Sequence, residues 1–208
     1  MGEEEARAWV QERFGVSRET MARLRSFETL LRDENEFQNL VSKPSLGRLW
    51  ARHIADSAQL LLHAPNPQSK WLDLGSGAGF PGLVVAVLHP GPVTLIEERR
   101  LRSDFLRRAA DMLGVAERVE IVAGRAERAA AAPNDVISAR AFAPLPRLFE
   151  LGTRFSTPNT RWILPKGRSA QSELDAALGS WQGDFRLEPS MTDPEARIVV
   201  AERVKRKR

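Results

Sequence analysis

The chain has 208 residues, 42% hydrophobic and 28% charged, which suits one globular domain with a sizeable core and is short for two. It contains no cysteine, which excludes disulfides, thiolate metal sites and cysteine nucleophiles, and three histidines argue against a structural zinc site, so no metal is expected. The net charge of +4 is compatible with a nucleic-acid partner and equally with an arginine-rich composition.

From the N-terminus, Ala8, Trp9, Phe14, Met21, Leu24, Phe27, Leu30 and Leu31 recur at three- and four-residue steps. The spacing predicts helices, with Ser17 as an N-cap ahead of RETM. Pro44 breaks the pattern, and a second helical stretch is expected over about 46–62. APNPQSK then marks a turn, so residues 1–66 read as an N-terminal helical extension and 67–208 as the main domain. From Trp71, the runs WLDL, VTLIE, VEIVAG, DVISA and RWILPKG read as strands, with helices expected over 80–88, 99–113, 145–155 and 170–181. Such alternation predicts a mostly parallel sheet covered on both faces. DFRLEPSM and ARIVVAERV are separated only by the turn-rich TDPE, so this closing pair is predicted antiparallel. The last residues, VKRKR, are expected to be a solvated basic tail. The longest clearly apolar run, Leu83 to Leu88, is too short for a bilayer, and the acidic start lacks a signal peptide's apolar core, so a cytoplasmic protein with no membrane partner is expected.

WLDLGSGAGFPG, residues 71–82, ends a strand in an acid and follows it with four glycines. The stretch has the form D-x-G-x-G-x-G, and Gly77 to Gly82 also satisfies the dinucleotide pattern G-x-G-x-x-G. Charge separates the two readings. A carboxylate at Asp73 repels a pyrophosphate but suits S-adenosylmethionine, which has no phosphate and carries a sulfonium and an ammonium. Glu97 closes the second strand 24 residues after Asp73, where an acid accepts from ribose hydroxyls, with neighbouring Glu98 as the alternative acceptor. Arg125-Ala126-Glu127 follows the third strand, where it either borders an adenine or starts a helix with solvated charges.

The fourth strand ends in DVISARAFAPL, without the Asn/Asp-Pro-Pro-aromatic tetrad that holds exocyclic amines and without the Pro-Cys of covalent attack on pyrimidines. A ring nitrogen such as guanine N7 is already nucleophilic, and proximity and orientation carry most of its reaction. Arg140 has two candidate roles, gripping guanine O6 or the cofactor's carboxylate. Phe142 either stacks on the base or fills the core. Lys166 in LPKG is a candidate for RNA phosphate. RHIADS places Arg52 four residues before Asp56, and His53 four before Ser57, on one helix face, with His53 either an acceptor-side contact or a structural histidine.

Taken together, NLVS (39–42), RHIADS (52–57), DLGSGAGFPG (73–82), GRAE (124–127), ISARAFAPL (137–145) and LPKG (164–167) resemble the bacterial small-subunit (16S) ribosomal RNA guanine-N7 methyltransferase family, also called glucose-inhibited division protein B. The likeness runs from about residue 35 to the C-terminus. It implies a Rossmann-like class I S-adenosylmethionine-dependent methyltransferase: an α/β fold with a seven-stranded, mostly parallel sheet, an antiparallel C-terminal pair and an N-terminal helical extension. The implied reaction is direct in-line transfer of methyl from S-adenosylmethionine to N7 of one guanine in 16S rRNA, without a covalent enzyme intermediate. The implied partner is that rRNA, in the small ribosomal subunit or an assembly intermediate, and a monomer is expected.

By position, the family's cofactor contacts fall on Gly75, Phe80, Ala126, Glu127 and Arg140. With the residue-level reading added, the cofactor set is Asp73, Gly75, Gly77, Gly79, Phe80, Glu97, Ala126, Glu127 and Arg140. Candidate contacts to substrate or transition state are Arg140, Lys166 and His53. The chain departs from the family's usual Ser-Arg-Ala-Phe by an extra Ala139 between Ser138 and Arg140, and Glu97 stands where Asp is frequent. The alternatives are a class I methyltransferase acting on a small molecule or protein, and an NAD-dependent oxidoreductase, which Asp73 and the antiparallel closing pair disfavour.

Overall fold

A computed structural model of the protein describes residues 1–207. Helix α1 (Glu3–Arg13) opens with three glutamates, which favour the positive end of the helix dipole. Helix α2 (Arg18–Asn35) is capped as predicted, Ser17 Oγ accepting from the Thr20 amide at 3.1 Å. Its buried stripe is Met21, Leu24, Phe27 and Leu31. Asn35 Oδ1 turns the chain after it by accepting from the Leu40 and Val41 amides, both at 2.9 Å.

The continuous helix expected over 46–62 is instead broken into a short α3 (Lys43–Leu46), a π-helical segment (Trp50–Ala55), α4 (Asp56–Ala58) and a 3₁₀ turn (Gln59–His63). The wider turn of the π segment changes which side chains meet, and such segments are frequent at functional sites. Arg52 pairs with Asp193 at 2.6 Å rather than with Asp56. Asp56 is left facing Arg140, 3.7 Å away. Glu3 caps the segment's start, accepting from the Trp50 and Ala51 amides at 3.1 and 2.9 Å.

The strands are β1 (Trp71–Leu74), β2 (Val93–Glu97), β3 (Val119–Ala123), β4 (Val136–Ser138), β5 (Arg161–Lys166), β6 (Trp181–Pro189) and β7 (Arg197–Arg206). They form one seven-stranded sheet in the order β3-β2-β1-β4-β5-β7-β6, parallel except for β7, which runs antiparallel to β5 and β6. The predicted α/β architecture with its antiparallel closing pair is the one observed. Helices α5 (Gly82–Leu88), α6 (Arg100–Met112), α7 (Leu145–Gly152) and α8 (Ala170–Leu178) cover the two faces. Helix α5 begins at Gly82 rather than at residue 80, because the preceding glycines are spent on the loop. Trp181 opens β6 rather than closing α8. The basic tail is also corrected: β7 runs through Arg206, opposite Trp181, and the Lys207 amide donates to Ser180 O at 2.9 Å. Pairing of the ladder outweighs the repulsion of its basic side chains. Arg208 lies outside the described residues.

Strand order reverses between β1 and β4, which leave the sheet in opposite directions and open a crevice at their carboxyl ends. One apolar cluster lies under α5 and α6 and includes the N-terminal helices, with Phe27 5.6 Å from the Phe80 ring and 6.4 Å from Phe105. The other lies under α7 and α8 around Phe149, Trp162 and Trp181. The extension therefore packs directly against the glycine loop.

Candidate active site: two cavities with a common wall

The loop after β1 needs its glycines. Gly75, Gly77 and Gly79 have φ of +70°, +55° and +90°, a region that L side chains rarely adopt. A Cβ on Gly79 would lie 2.6 Å from Leu83 Cδ1, and one on Gly75 2.3 Å from the Phe142 ring. The Gly75 and Ser76 amides donate to Ile96 O at 2.9 and 3.2 Å, and the Gly77 amide donates to Glu97 Oε2 at 2.9 Å. Glu97 Oε1 accepts from the Arg99 amide at 2.8 Å. These amides are the donors that would cradle a pyrophosphate, and internal partners already hold them. The Glu97 carboxylate still has lone pairs for ribose hydroxyls. The donor set thus fits a nucleoside that carries no phosphate, as S-adenosylmethionine does.

Asp73 is fully buried beneath the loop and lines neither of the two cavities described below. Its Oδ1 accepts from Ser138 Oγ at 2.8 Å, and that hydroxyl accepts from Trp71 Nε1 at 2.8 Å. Its Oδ2 accepts from the Gly82 amide at 3.2 Å, at the start of α5. Burial pushes its pKa up to about 6, against the pull of these hydrogen bonds and of Arg140. Asp73 therefore supports the loop from below. Gly79 and Phe80 are also buried, and Gly77 is half-buried but lines neither cavity described below. Phe80 is core, stacked on His53 with ring centroids 4.9 Å apart.

A cavity of about 360 Å³ lies over the ends of β1, β2 and β3, walled by Gly75, Ile96, Glu97, Ala126, Glu127 and Phe142. Four of the predicted cofactor residues therefore come together: Gly75, Glu97, Ala126 and Glu127. Glu98 is diverted, accepting from Arg125 Nε at 2.8 Å. Glu127 pairs with Arg147 at 3.0 Å.

A second cavity, about 780 Å³, lies between the π segment, the loop after β4 and the β6–β7 turn. All three candidate substrate contacts line it: His53, Arg140 and Lys166. The Arg140 guanidinium donates to Arg52 O at 3.1 Å and lies 5.1 Å over the Phe80 ring. Burial lowers its pKa below the usual arginine range, opposed by Asp56 and Asp73. With Ser138 turned to Asp73 and Ala139 buried, Arg140 faces this larger cavity. Lys166 is also held by internal partners. Its Nζ donates to Ala143 O at 3.0 Å and lies 2.8 Å from Glu173 Oε2, which also accepts from the Leu145 amide at 3.3 Å. Two of three ammonium donors clamp the loop after β4, where a free phosphate ligand was expected.

His53 is 8% exposed, and neither ring nitrogen has a hydrogen-bond partner among the described residues. Burial first, then Arg140 and Arg52, hold its pKa down to about 3, so the ring is neutral at physiological pH. Sequence reasoning missed Asp56. It accepts from Gln59 Nε2 at 2.9 Å and Thr192 Oγ1 at 2.8 Å, tying the extension to the β6–β7 turn. Its place in RHIADS was legible, but its partner at Arg140 was not.

The two cavities share a wall of two residues, Ala141 and Phe142. Residues 20–193 match a family model described as rRNA small subunit methyltransferase G. The chain is 54% identical over 206 residues to the ribosomal RNA small subunit methyltransferase G of Rhizorhabdus wittichii, covering 98% of this chain and 94% of that protein.

The chain belongs to the rRNA small subunit methyltransferase G family.

The Zymomonas mobilis member is 45% identical over 210 residues, covering 97% of this chain and 94% of that protein. Among solved structures, the O-methyltransferase from Bacillus cereus in complex with SAH aligns with a TM-score of 0.59 at 16% identity, covering 85% of this chain and 90% of that one. An RNA methyltransferase from Salinibacter ruber in complex with S-adenosyl-L-homocysteine aligns at 0.56 and 19%, covering 78% and 92%. These two likenesses establish the fold. Membership in rRNA small subunit methyltransferase G makes the protein an S-adenosylmethionine-dependent methyltransferase.

Proposed function

We propose that this protein transfers the methyl group of S-adenosylmethionine to N7 of one guanine in the small-subunit (16S) rRNA. The cofactor's nucleoside occupies the smaller cavity and the guanine enters the larger. The observation that carries this reading is the common wall. A site holding a nucleoside and a site large enough for a base meet across two residues, as a methyl transfer between bound molecules requires.

Glu97 takes the ribose hydroxyls, each charge-assisted bond contributing roughly 1.5–3 kcal/mol. Ala126 and Glu127 border the adenine. Arg140, a partly buried cation beside the wall, takes the cofactor's carboxylate. When bound, S-adenosylmethionine supplies an electrophilic methyl. Guanine N7 already offers a lone pair, so no side chain has to remove a proton before attack, and the residues need only orient the base. The methylated base is a cation. A neutral His53 adds no charge against it, and the Asp56 carboxylate in the same cavity favours it.

The test is to incubate the protein with methyl-labelled S-adenosylmethionine and small ribosomal subunits that lack the modification, then digest the rRNA. Labelled 7-methylguanosine at a single site is expected. Label on another atom of the RNA overturns the regiochemistry, and label only on protein or small molecules overturns the substrate class.

A further inference from the structure

The wall between the cavities is held at both ends. On one side Arg140 is anchored to Arg52 O, and on the other Ala143 O accepts from Lys166 while the Leu145 amide donates to Glu173. Between these clamps, Ala141 has φ +50°, a left-handed conformation that costs an L residue strain. Phe142 is 36% exposed, unusual for so large an apolar side chain. Its ring lies against Gly75, where a Cβ would sit 2.3 Å from Cδ2. The ring therefore stands on the boundary that a methyl leaving the smaller cavity must cross. Ring and path compete for one place, so the ring has to leave before transfer. The clamps confine that motion to Ala141 and Phe142, and the open side is the larger cavity.

We propose that Phe142 is a positioning residue that cofactor binding displaces from Gly75 into the larger cavity, where its ring becomes the stacking face for the acceptor base. Cofactor occupancy then prepares the acceptor site. The inference rests on the cofactor and acceptor assignments above. It has two consequences of opposite sign. Removing the ring removes a competitor of the cofactor, so cofactor binding strengthens. It also removes the stacking face, so the gain in acceptor affinity caused by the cofactor disappears. Coupling between two ligands is reciprocal, so either can report it.

The experiment measures S-adenosylhomocysteine binding by calorimetry for wild type, Phe142→Ala and Phe142→Tyr, and unmodified small-subunit binding with and without S-adenosylhomocysteine. Phe142→Ala should bind S-adenosylhomocysteine about three- to tenfold more tightly than wild type. S-adenosylhomocysteine should raise the subunit affinity of wild type and Phe142→Tyr by about fivefold or more, and leave that of Phe142→Ala unchanged. A melting temperature like that of wild type shows that the variants fold. Weaker S-adenosylhomocysteine binding by Phe142→Ala would make the ring a cofactor contact and overturn the proposal. So would an undiminished cofactor-dependent gain in subunit affinity. A wild type that binds no S-adenosylhomocysteine would instead overturn the assignments beneath it.

Discussion

The two cavities are built by different means. The smaller rests on a backbone framework: three left-handed glycines, amides locked onto Ile96 O and Glu97, and strand ends brought together by the sheet hold Gly75, Glu97, Ala126 and Glu127 in its wall. The larger is lined by apolar and polar side chains from the π segment, the loop after β4, β5 and the β6–β7 turn, with Arg52, His53, Asp56, Arg140 and Lys166 among them. One side needs an exact local conformation, and the other needs several remote segments held in place. Substitutions on the two sides should therefore fail differently, the first in cofactor affinity and the second in turnover.

The largest effect is expected at Gly75. Gly75→Ala forces an L residue to φ +70° in the wall of the smaller cavity and distorts the loop that shapes it, so S-adenosylhomocysteine binding by calorimetry should fall by about a hundredfold or more, with methyl transfer undetectable. Next is Arg140→Ala, at the wall itself. Loss of one charge-assisted contact should weaken S-adenosylhomocysteine binding by about tenfold or more and abolish transfer while the melting temperature stays close to that of wild type. Retained affinity would move Arg140 wholly to the acceptor side. Lys166→Met should lower kcat on small subunits by about tenfold, because the loop after β4 loses its clamp, and change S-adenosylhomocysteine affinity by less than about twofold. An equal loss of affinity would blur the division between the two sides.

The smallest effect, and the one of clearest sign, concerns pH. The His53 pKa is depressed in the fold to about 3 from 6.5, so the stability it contributes is complete above pH 6.5 and is lost as pH falls toward 3. Asp73 is raised to about 6 from 3.8 and works in the opposite direction, favouring the fold as pH falls through 6. Between pH 6.5 and 5 the His53 displacement costs wild type about 2 kcal/mol and Asp73 returns about 1 kcal/mol, so the net loss is below about 1 kcal/mol. His53→Leu leaves no unpaired ring nitrogens in the core and should be more stable at neutral pH. It should also hold or gain stability between pH 6.5 and 5 in thermal melts. A wild-type-like acid decline in His53→Leu would remove His53 as its source.

The contrast also explains what could be read in advance. The glycine loop, the strand alternation, the Glu97 position and the closing antiparallel pair are patterns within short stretches, and the structure shows each element where its pattern put it. The larger cavity was legible only as isolated candidates. A π-helical turn carries the same apolar residues as an α-helix, so RHIADS promised an Arg52–Asp56 contact that the structure replaces with Arg52–Asp193 and Asp56–Arg140. Asp73 shows a further limit. Sequence places an acid at a strand end, but only the fold decides whether it faces the ligand or Ser138 and Gly82. Lys166 and the basic tail likewise have partners that their own stretches do not reveal, Ala143 O and Glu173 for Lys166 and strand β6 for the tail.

The division between the cavities is tested most directly by a crystal structure of the protein soaked with S-adenosylhomocysteine. The account predicts adenosine in the smaller cavity, ribose hydroxyls on Glu97, adenine beside Ala126, and Phe142 turned away from Gly75. Adenosine in the larger cavity, or a ribose held away from Glu97, would contradict it.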